Sequence, residues 1–194
     1  MAVQEGLARK VLIGIILSGI FYLFISKIVF HFCFPFQDLN SVIPEIDYTI
    51  LMICMVVTTQ DELQKVFQLR TEVFVNEQHV PIHLEMDALD KVAIHVLCTE
   101  NLETIGCGRI ILDGSTAWIG RVAVKKNFRN RGFGRELMLN MMTIALEKGA
   151  TTISLHAQLP VVEFYQKLGF SAHGETFMDA GIEHIEMNLQ VNKT

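Results

Sequence analysis

Proline is scarce, four in 194 residues, tryptophan occurs once, and glycine stops at 13. With 51% of the chain hydrophobic, this excludes a Pro/Gly-rich fibre and a disordered polymer. Of the four cysteines (Cys33, Cys54, Cys98 and Cys107), none forms a CxxC pair. Their apolar or strand-like surroundings predict buried free thiols and a reducing or cytoplasm-facing setting. No HExxH occurs, and Pro81 interrupts the one suggestive pair, His79 and His83, so no metal site is expected. GxxxxGK[ST] is absent, and Gly106-Cys107-Gly108 has Ile111 where a third glycine would stand, which removes the two common nucleotide loops. Those two glycines mark a bulge in a strand instead.

Charge is low, 19% of residues, and acidic in balance, with 16 Lys+Arg against 21 Asp+Glu. A general nucleic-acid binder is excluded, because such affinity needs a spread of phosphate-neutralising cations. Three basic residues and one acidic residue precede Gln37, whereas 13 basic and 20 acidic residues follow it. Between Val11 and Phe36 the only charge is Lys27, and 19 of those 26 residues are apolar. About 20 such residues at 1.5 Å each cross a bilayer core, so a retained membrane anchor is expected over about 11–36. The boundary falls between an N-terminal segment, 1–48, and a domain, 49–194. Arg9-Lys10 places the N-terminus in the cytoplasm by the positive-inside rule. A cytosolic co-substrate would place the domain on the cytoplasmic face instead, and translation from Met52 or Met55 would give a soluble cytoplasmic protein.

From Thr49 onward, short β-rich runs alternate with amphipathic helices. Strands are expected over 50–57, 92–98, 104–112, 117–124 and 151–157, with a hairpin of 171–177 and 182–189 around Asp179-Ala180-Gly181. Helices are expected over 59–75, where Thr59 and Glu62 make a capping box, over 132–148, and over 160–168. The order implies an α+β fold: a mixed, mostly antiparallel sheet of six to seven strands flanked by helices, with one parallel pair across 117–157.

Chemistry concentrates in RVAVKKNFRNRGFGRELM, Arg121 to Met138. Six basic residues and no acidic one lie between Arg121 and Arg135. A strand, a basic loop, Gly132 and Gly134, then a helix bring free N–H groups and the positive end of the helix dipole together, as a pyrophosphate requires. No Ser/His/Asp or Cys/His arrangement announces a covalent nucleophile.

Arg129-Asn130-Arg131-Gly132-Phe133-Gly134 matches Gln/Arg-x-x-Gly-x-Gly/Ala, and with LHAQLPVVEFYQKLGF (155–170) the chain resembles the GNAT superfamily of acetyltransferases over about 50–191. It is similar in particular to the small ElaA-like and YjcF-like group through Leu69-Arg70, Val73-Phe74-Val75, Glu77-Gln78, Val80-Pro81, Glu85, Asp87, Asp90 and His95. The resemblance implies acetyl-CoA as co-substrate, with the amides of Arg129 to Gly134 on the pyrophosphate, Arg135 beside it, and Val122, Ala123 and Val124 along the pantetheine arm. It makes Gln158 a further contact and Tyr165 the acid for the departing thiolate. The base is left among Glu77, Glu85, Asp87, His95 and His156, with Glu85 and Asp87 preferred. The implied reaction is direct transfer to a primary amine, on a small-molecule acceptor. The alternative is a noncatalytic CoA-binding or membrane-tethered regulatory module, and whether the domain pairs as a homodimer is left open.

Overall fold

The computed structural model describes residues 52–191. Seven strands, β1 (Met52–Val56), β2 (Ile94–Glu100), β3 (Glu103–Asp113), β4 (Thr116–Val124), β5 (Thr152–Gln158), β6 (Ser171–Asp179) and β7 (Ile182–Gln190), form one sheet in the order β1-β2-β3-β4-β5-β7-β6. Only β4 and β5 run parallel; every other neighbouring pair is antiparallel. Among the described residues four α-helices accompany them: α1 (Gln60–Arg70), α2 (Ile82–Glu85), α3 (Phe133–Glu147) and α4 (Val162–Gln166). The mixed sheet and its single parallel pair agree with the sequence pattern. The anchor expected over 11–36 and the boundary at 48/49 lie outside the described residues. Among the described residues no helix is long and apolar enough to cross a membrane.

α1 starts where the capping box predicts. The Glu62 N–H donates to Thr59 Oγ1 at 3.3 Å, and the Thr59 N–H donates to the Glu62 carboxylate at 3.0 Å. The helix does not run on to Val75 as an α-helix. At Thr71, whose hydroxyl donates to the Phe67 carbonyl at 2.8 Å, it widens into a π-helix through Glu77. Such wide turns are rare and concentrate at functional sites.

Helices cover the sheet on both faces. Leu137, Met138 and Met141 of α3 pack with Ile105, Ile110, Ile119, Ile153, Leu155 and Met187 on one side. Val66 and Leu69 of α1, with Val73, pack on Leu97, Cys107 and Ala123 on the other. At Gly108 a Cβ would lie 2.3 Å from Met141 Sδ, so any other residue there requires the end of the Met141 side chain to move. The bulge expected in the glycine-bearing strand falls at Ile105, the extra residue of β3 against β2, while the β3–β4 register shift between Cys107 and Arg109 puts its extra residue on β4.

The expectation of free thiols is corrected for two cysteines. Antiparallel pairing sets Cys54 on β1 directly opposite Cys98 on β2, with Cα atoms 4.1 Å apart, and the two form a disulfide. Sheet pairing across 44 residues needs no CxxC spacing, so the pair is invisible in the one-dimensional pattern. Cys107 is free and buried, and burial pushes its thiol up to about 12, which leaves it unsuited to nucleophilic work.

Candidate active site

β4 and β5 pair only from Thr116–Trp118 to Thr152–Ser154, and beyond that point the strands part. On β4, Arg109 faces Gly120 while Cys107 faces Ala123, so β4 carries one extra residue. That residue is absorbed by a bulge at Arg121, whose φ of 53° lies in the left-handed region. The Lys125 N–H donates to Ile105 of β3 at 2.8 Å. Strand alternation therefore turns the Val124 and Val122 amides away from β3, into the gap where β5 is missing. Both amides then lie on the side of β4 where pairing with β5 has ended, while the Ala123 side chain is buried under α1.

The segment after β4 forms an amide nest. Asn130 and Gly132 adopt positive φ, 60° and 86°, and α3 begins at Phe133. Among the described residues, the backbone N–H groups from Asn130 to Gly134 have no backbone acceptor. The dipole of a 15-residue helix adds to them. At Gly134 an added Cβ would meet Phe164 only at 3.7 Å, so this glycine keeps the approach open rather than relieving a clash. The side chains divide the work. Arg131 lies over the Phe128 and Phe133 rings at 5.3 and 4.9 Å, and Arg135 is exposed. Arg129 is tied inward, Nε to the Val124 carbonyl at 2.8 Å and Nη2 to Glu77 at 2.9 Å. Its hydrogen bond and charge hold the Glu77 carboxyl below its usual range. A second tie, missed in the sequence, runs from Gln158 Nε2 to Gln78 Oε1 at 3.1 Å. The π-helix is thus fastened to the ends of both splayed strands.

Cleft and nest open into one cavity of about 1100 Å³. Tyr165, Gln158 and His156 line it, together with Gly120, Trp118 and His184. Tyr165 is half-buried on α4, between Phe164 and Phe170, and burial pushes its hydroxyl up to about 12. It is a proton-bearing donor across the physiological range.

Glu85 and Asp87 do not stand in a solvated loop. Arg70 Nε meets Glu85 Oε1 at 2.6 Å and Arg121 Nε meets Oε2 at 2.8 Å. Arg109 Nη1 bridges Asp87 and Asp90 at 2.7 and 2.9 Å, and Arg70 Nη1 reaches Asp90 at 2.6 Å. Three guanidiniums thus match three carboxylates. Burial raises the Glu85 carboxyl despite its arginines. For Asp90 burial also acts upward, but hydrogen bonds from Arg70 and Arg109 outweigh it and hold the carboxyl at about 2. Asp87, less buried, is likewise lowered by Arg109 and caps the turn at Leu89. His95 is buried in the same cluster, Nε2 2.9 Å from the Asp90 carbonyl. Among the described residues only His156, of the five base candidates, faces the cavity without an ionic or hydrogen-bonded partner. Among the described residues no cluster of His, Cys, Asp and Glu could hold a metal ion.

A sheet that splays after its fourth strand, exposes β4 amides into the gap and follows them with an amide nest defines an acyl-CoA-dependent acyltransferase. The chain belongs to the GNAT acetyltransferase family, whose acetyltransferase (GNAT) domain model matches residues 56–191. Uncharacterized N-acetyltransferase YjcF of Bacillus subtilis is 33% identical over 137 residues, which are 70% of this chain and 98% of that protein. An acyl-CoA N-acyltransferase from Pseudomonas aeruginosa superposes with a TM-score of 0.64 at 31% identity, covering 71% of this chain and 97% of the other. Escherichia coli ElaA gives 0.65 at 27% identity, with 71% and 99% covered.

Proposed function

We propose that the chain is an acetyl-CoA-dependent N-acetyltransferase that passes the acetyl group directly to a primary amine of a small-molecule acceptor. The observation that carries this reading is the continuity of one cavity from the 130–134 amide nest, along Val122 and Val124 on the unpaired edge of β4, to Tyr165 and the open face beyond. The nest and Arg131 and Arg135 receive the CoA pyrophosphate, Ala123 anchors the strand, and Gln158 borders the arm. An amide at Val122 or Val124 polarises the thioester carbonyl, a contribution of about 3 kcal/mol to the transition state. Tyr165 donates to the departing sulfur. Glu85 and Asp87, with their oxygens on arginines, serve this scheme by holding the 82–91 segment against the cavity.

Calorimetric titration of the full chain with acetyl-CoA, followed by thiol release on addition of primary amines, tests the reading. Micromolar binding with amine-dependent release is the expected result. Binding without release from any amine would favour a noncatalytic CoA module.

The membrane part of the reading places 11–36 as an anchor with the domain on the cytosolic side, where acetyl-CoA is available. The Cys54–Cys98 bond and the positive-inside count pull the other way. Protease digestion of sealed spheroplasts decides: a protected domain that pellets with membranes is expected, and digestion from outside would reverse the orientation.

A further inference from the structure

Within the acyl-transfer reading proposed above, we infer that His184 is the catalytic base: its Nε2 removes the proton from the attacking amine. Nothing in the linear pattern around His184 announces this, because it lies inside a hairpin strand. Pairing between β5 and β7 sets it opposite Gln158, and pairing with β6 sets it opposite Phe177. The same registers put Ser154, His156 and Gln158 on one face of β5, the face with Trp118 and Gly120. His184 is buried, 9% exposed, yet lines the cavity that holds Tyr165 and the unpaired edge of β4.

Three features suit the ring to proton abstraction. Nδ1 lies 2.9 Å from the carbonyl of Ile182 on its own strand, and only an N–H makes a favourable contact there. The neutral imidazole therefore carries its proton on Nδ1 and its lone pair on Nε2. Phe177 stacks on the ring, centroids 6.0 Å apart and planes 23° apart, which restricts its rotation. Among the described residues Nε2 has no hydrogen-bond partner, and it is not sealed in. The buried unpartnered side-chain atoms among the described residues are His95 Nδ1 and Asn188 Oδ1. The lone pair thus opens to the cavity.

The competing groups are otherwise engaged. Glu77, Glu85 and Asp87 are held by arginines, and His95 is bound inside the ion cluster. His156 shares the cavity, but only ring edges hold it, Trp118 at 5.3 Å and Phe177 at 4.9 Å, and no hydrogen bond selects its tautomer. Gly120 leaves room above the sheet, with no atom within 4 Å of the position a Cβ would take. An acceptor's carbon skeleton can lie there against the Trp118 indole.

The step balances. The acceptor's ammonium nitrogen gives one proton to His184 Nε2, and the lone pair so freed bonds to the thioester carbonyl carbon. The C–S bond then breaks with its electron pair on sulfur, held by the Tyr165 hydroxyl. The imidazolium and the newly acylated nitrogen each release one proton to solvent and the thiolate takes one back, leaving the N-acetyl amine, CoA thiol and one proton.

His184→Gln in the full chain, assayed with two amines, tests the role. Phenethylamine is an ammonium at neutral pH and must lose a proton before attack, whereas hydroxylamine is largely neutral. The variant is expected to lose about 10²–10⁴-fold in kcat with phenethylamine and far less with hydroxylamine, and to keep its acetyl-CoA affinity. Equal losses with both amines, no loss with either, or a larger loss in His156→Gln would overturn the assignment. An acceptor-independent arm uses ¹⁵N-histidine long-range correlation spectra of the wild type, with His184→Gln to assign the peak. The Nδ1–H tautomer is expected at neutral pH, and an Nε2–H tautomer or a fully protonated ring overturns the inference. Should the wild type bind acetyl-CoA but release no thiol with either amine, the transfer reading fails, and the assignment of a base falls with it whatever the tautomer.

Discussion

Arg70→Ala is expected to cost about 3–5 kcal/mol of folding stability, enough to leave a domain of this size marginal. The size follows from what is stranded. Arg70 has no exposure, and its guanidinium serves Glu85 Oε1, the Glu85 carbonyl and Asp90 Oδ1, each at 2.6 Å. Removing it leaves two buried carboxylates short of a cation, a state far worse than one in which neither partner is present. Arg70→Lys is expected to recover only a minor part, since a point ammonium cannot span three acceptors. Urea denaturation followed by circular dichroism measures the loss, and a midpoint within error of wild type would refute the assignment. Acid separates the carboxylates. Asp90, lowered in the fold to about 2, stabilises the protein above its unfolded value of about 3.9, and that stability disappears as pH falls through about 2. Glu85 is raised by burial, so its contribution has the opposite sign: it is present below the unfolded value and declines as pH rises through the folded one. Asp90→Asn should therefore flatten the acid limb of the stability curve.

The features legible in the sequence were those set by local chemistry. Thr59 and Glu62 cap α1 because a capping box involves residues three apart, and Ala180-Gly181 reverses the last hairpin with φ of 48° and 81°. The nest was readable for the same reason: Arg129 to Gly134 are consecutive, and a glycine before a helix has few other uses. Contacts that depend on sheet register were not. Cys54 meets Cys98, and His184 meets Gln158, only once the strands are paired. The acidic residues after α1 look like a solvated loop because their cations, Arg70, Arg109 and Arg121, come from α1, β3 and β4. The π-helix was hidden because Val73 and Phe74 continue the helical apolar spacing, so the widened turn leaves no mark on the period. Its effect is to aim Glu77 at Arg129 and Gln78 at Gln158, which ties the segment after α1 to the mouth of the gap between β4 and β5.

Tyr165→Phe is expected to lower kcat by roughly 10- to 150-fold while leaving acetyl-CoA affinity unchanged. That range is the value of a hydrogen bond to a charged group, about 1.5–3 kcal/mol, realised only when negative charge develops on sulfur. The raised pKa decides how the hydroxyl acts. A free thiol ionises near about 8.5, below the value of about 12 to which burial pushes Tyr165, so complete proton transfer to the thiolate is uphill. In the proposed transfer the hydroxyl therefore acts as a donor to the leaving group, with solvent completing the protonation after the C–S bond has broken. A thioester with a more acidic thiol builds up a weaker base at sulfur and needs less help. The Tyr165→Phe loss should accordingly shrink with an aryl thioester analogue. Steady-state rates for both donors, beside calorimetric affinities, separate this role from packing. A variant that loses affinity and rate in equal measure, or loses the same factor with both donors, would show that the Tyr165 ring between Phe164 and Phe170 only shapes the cavity wall.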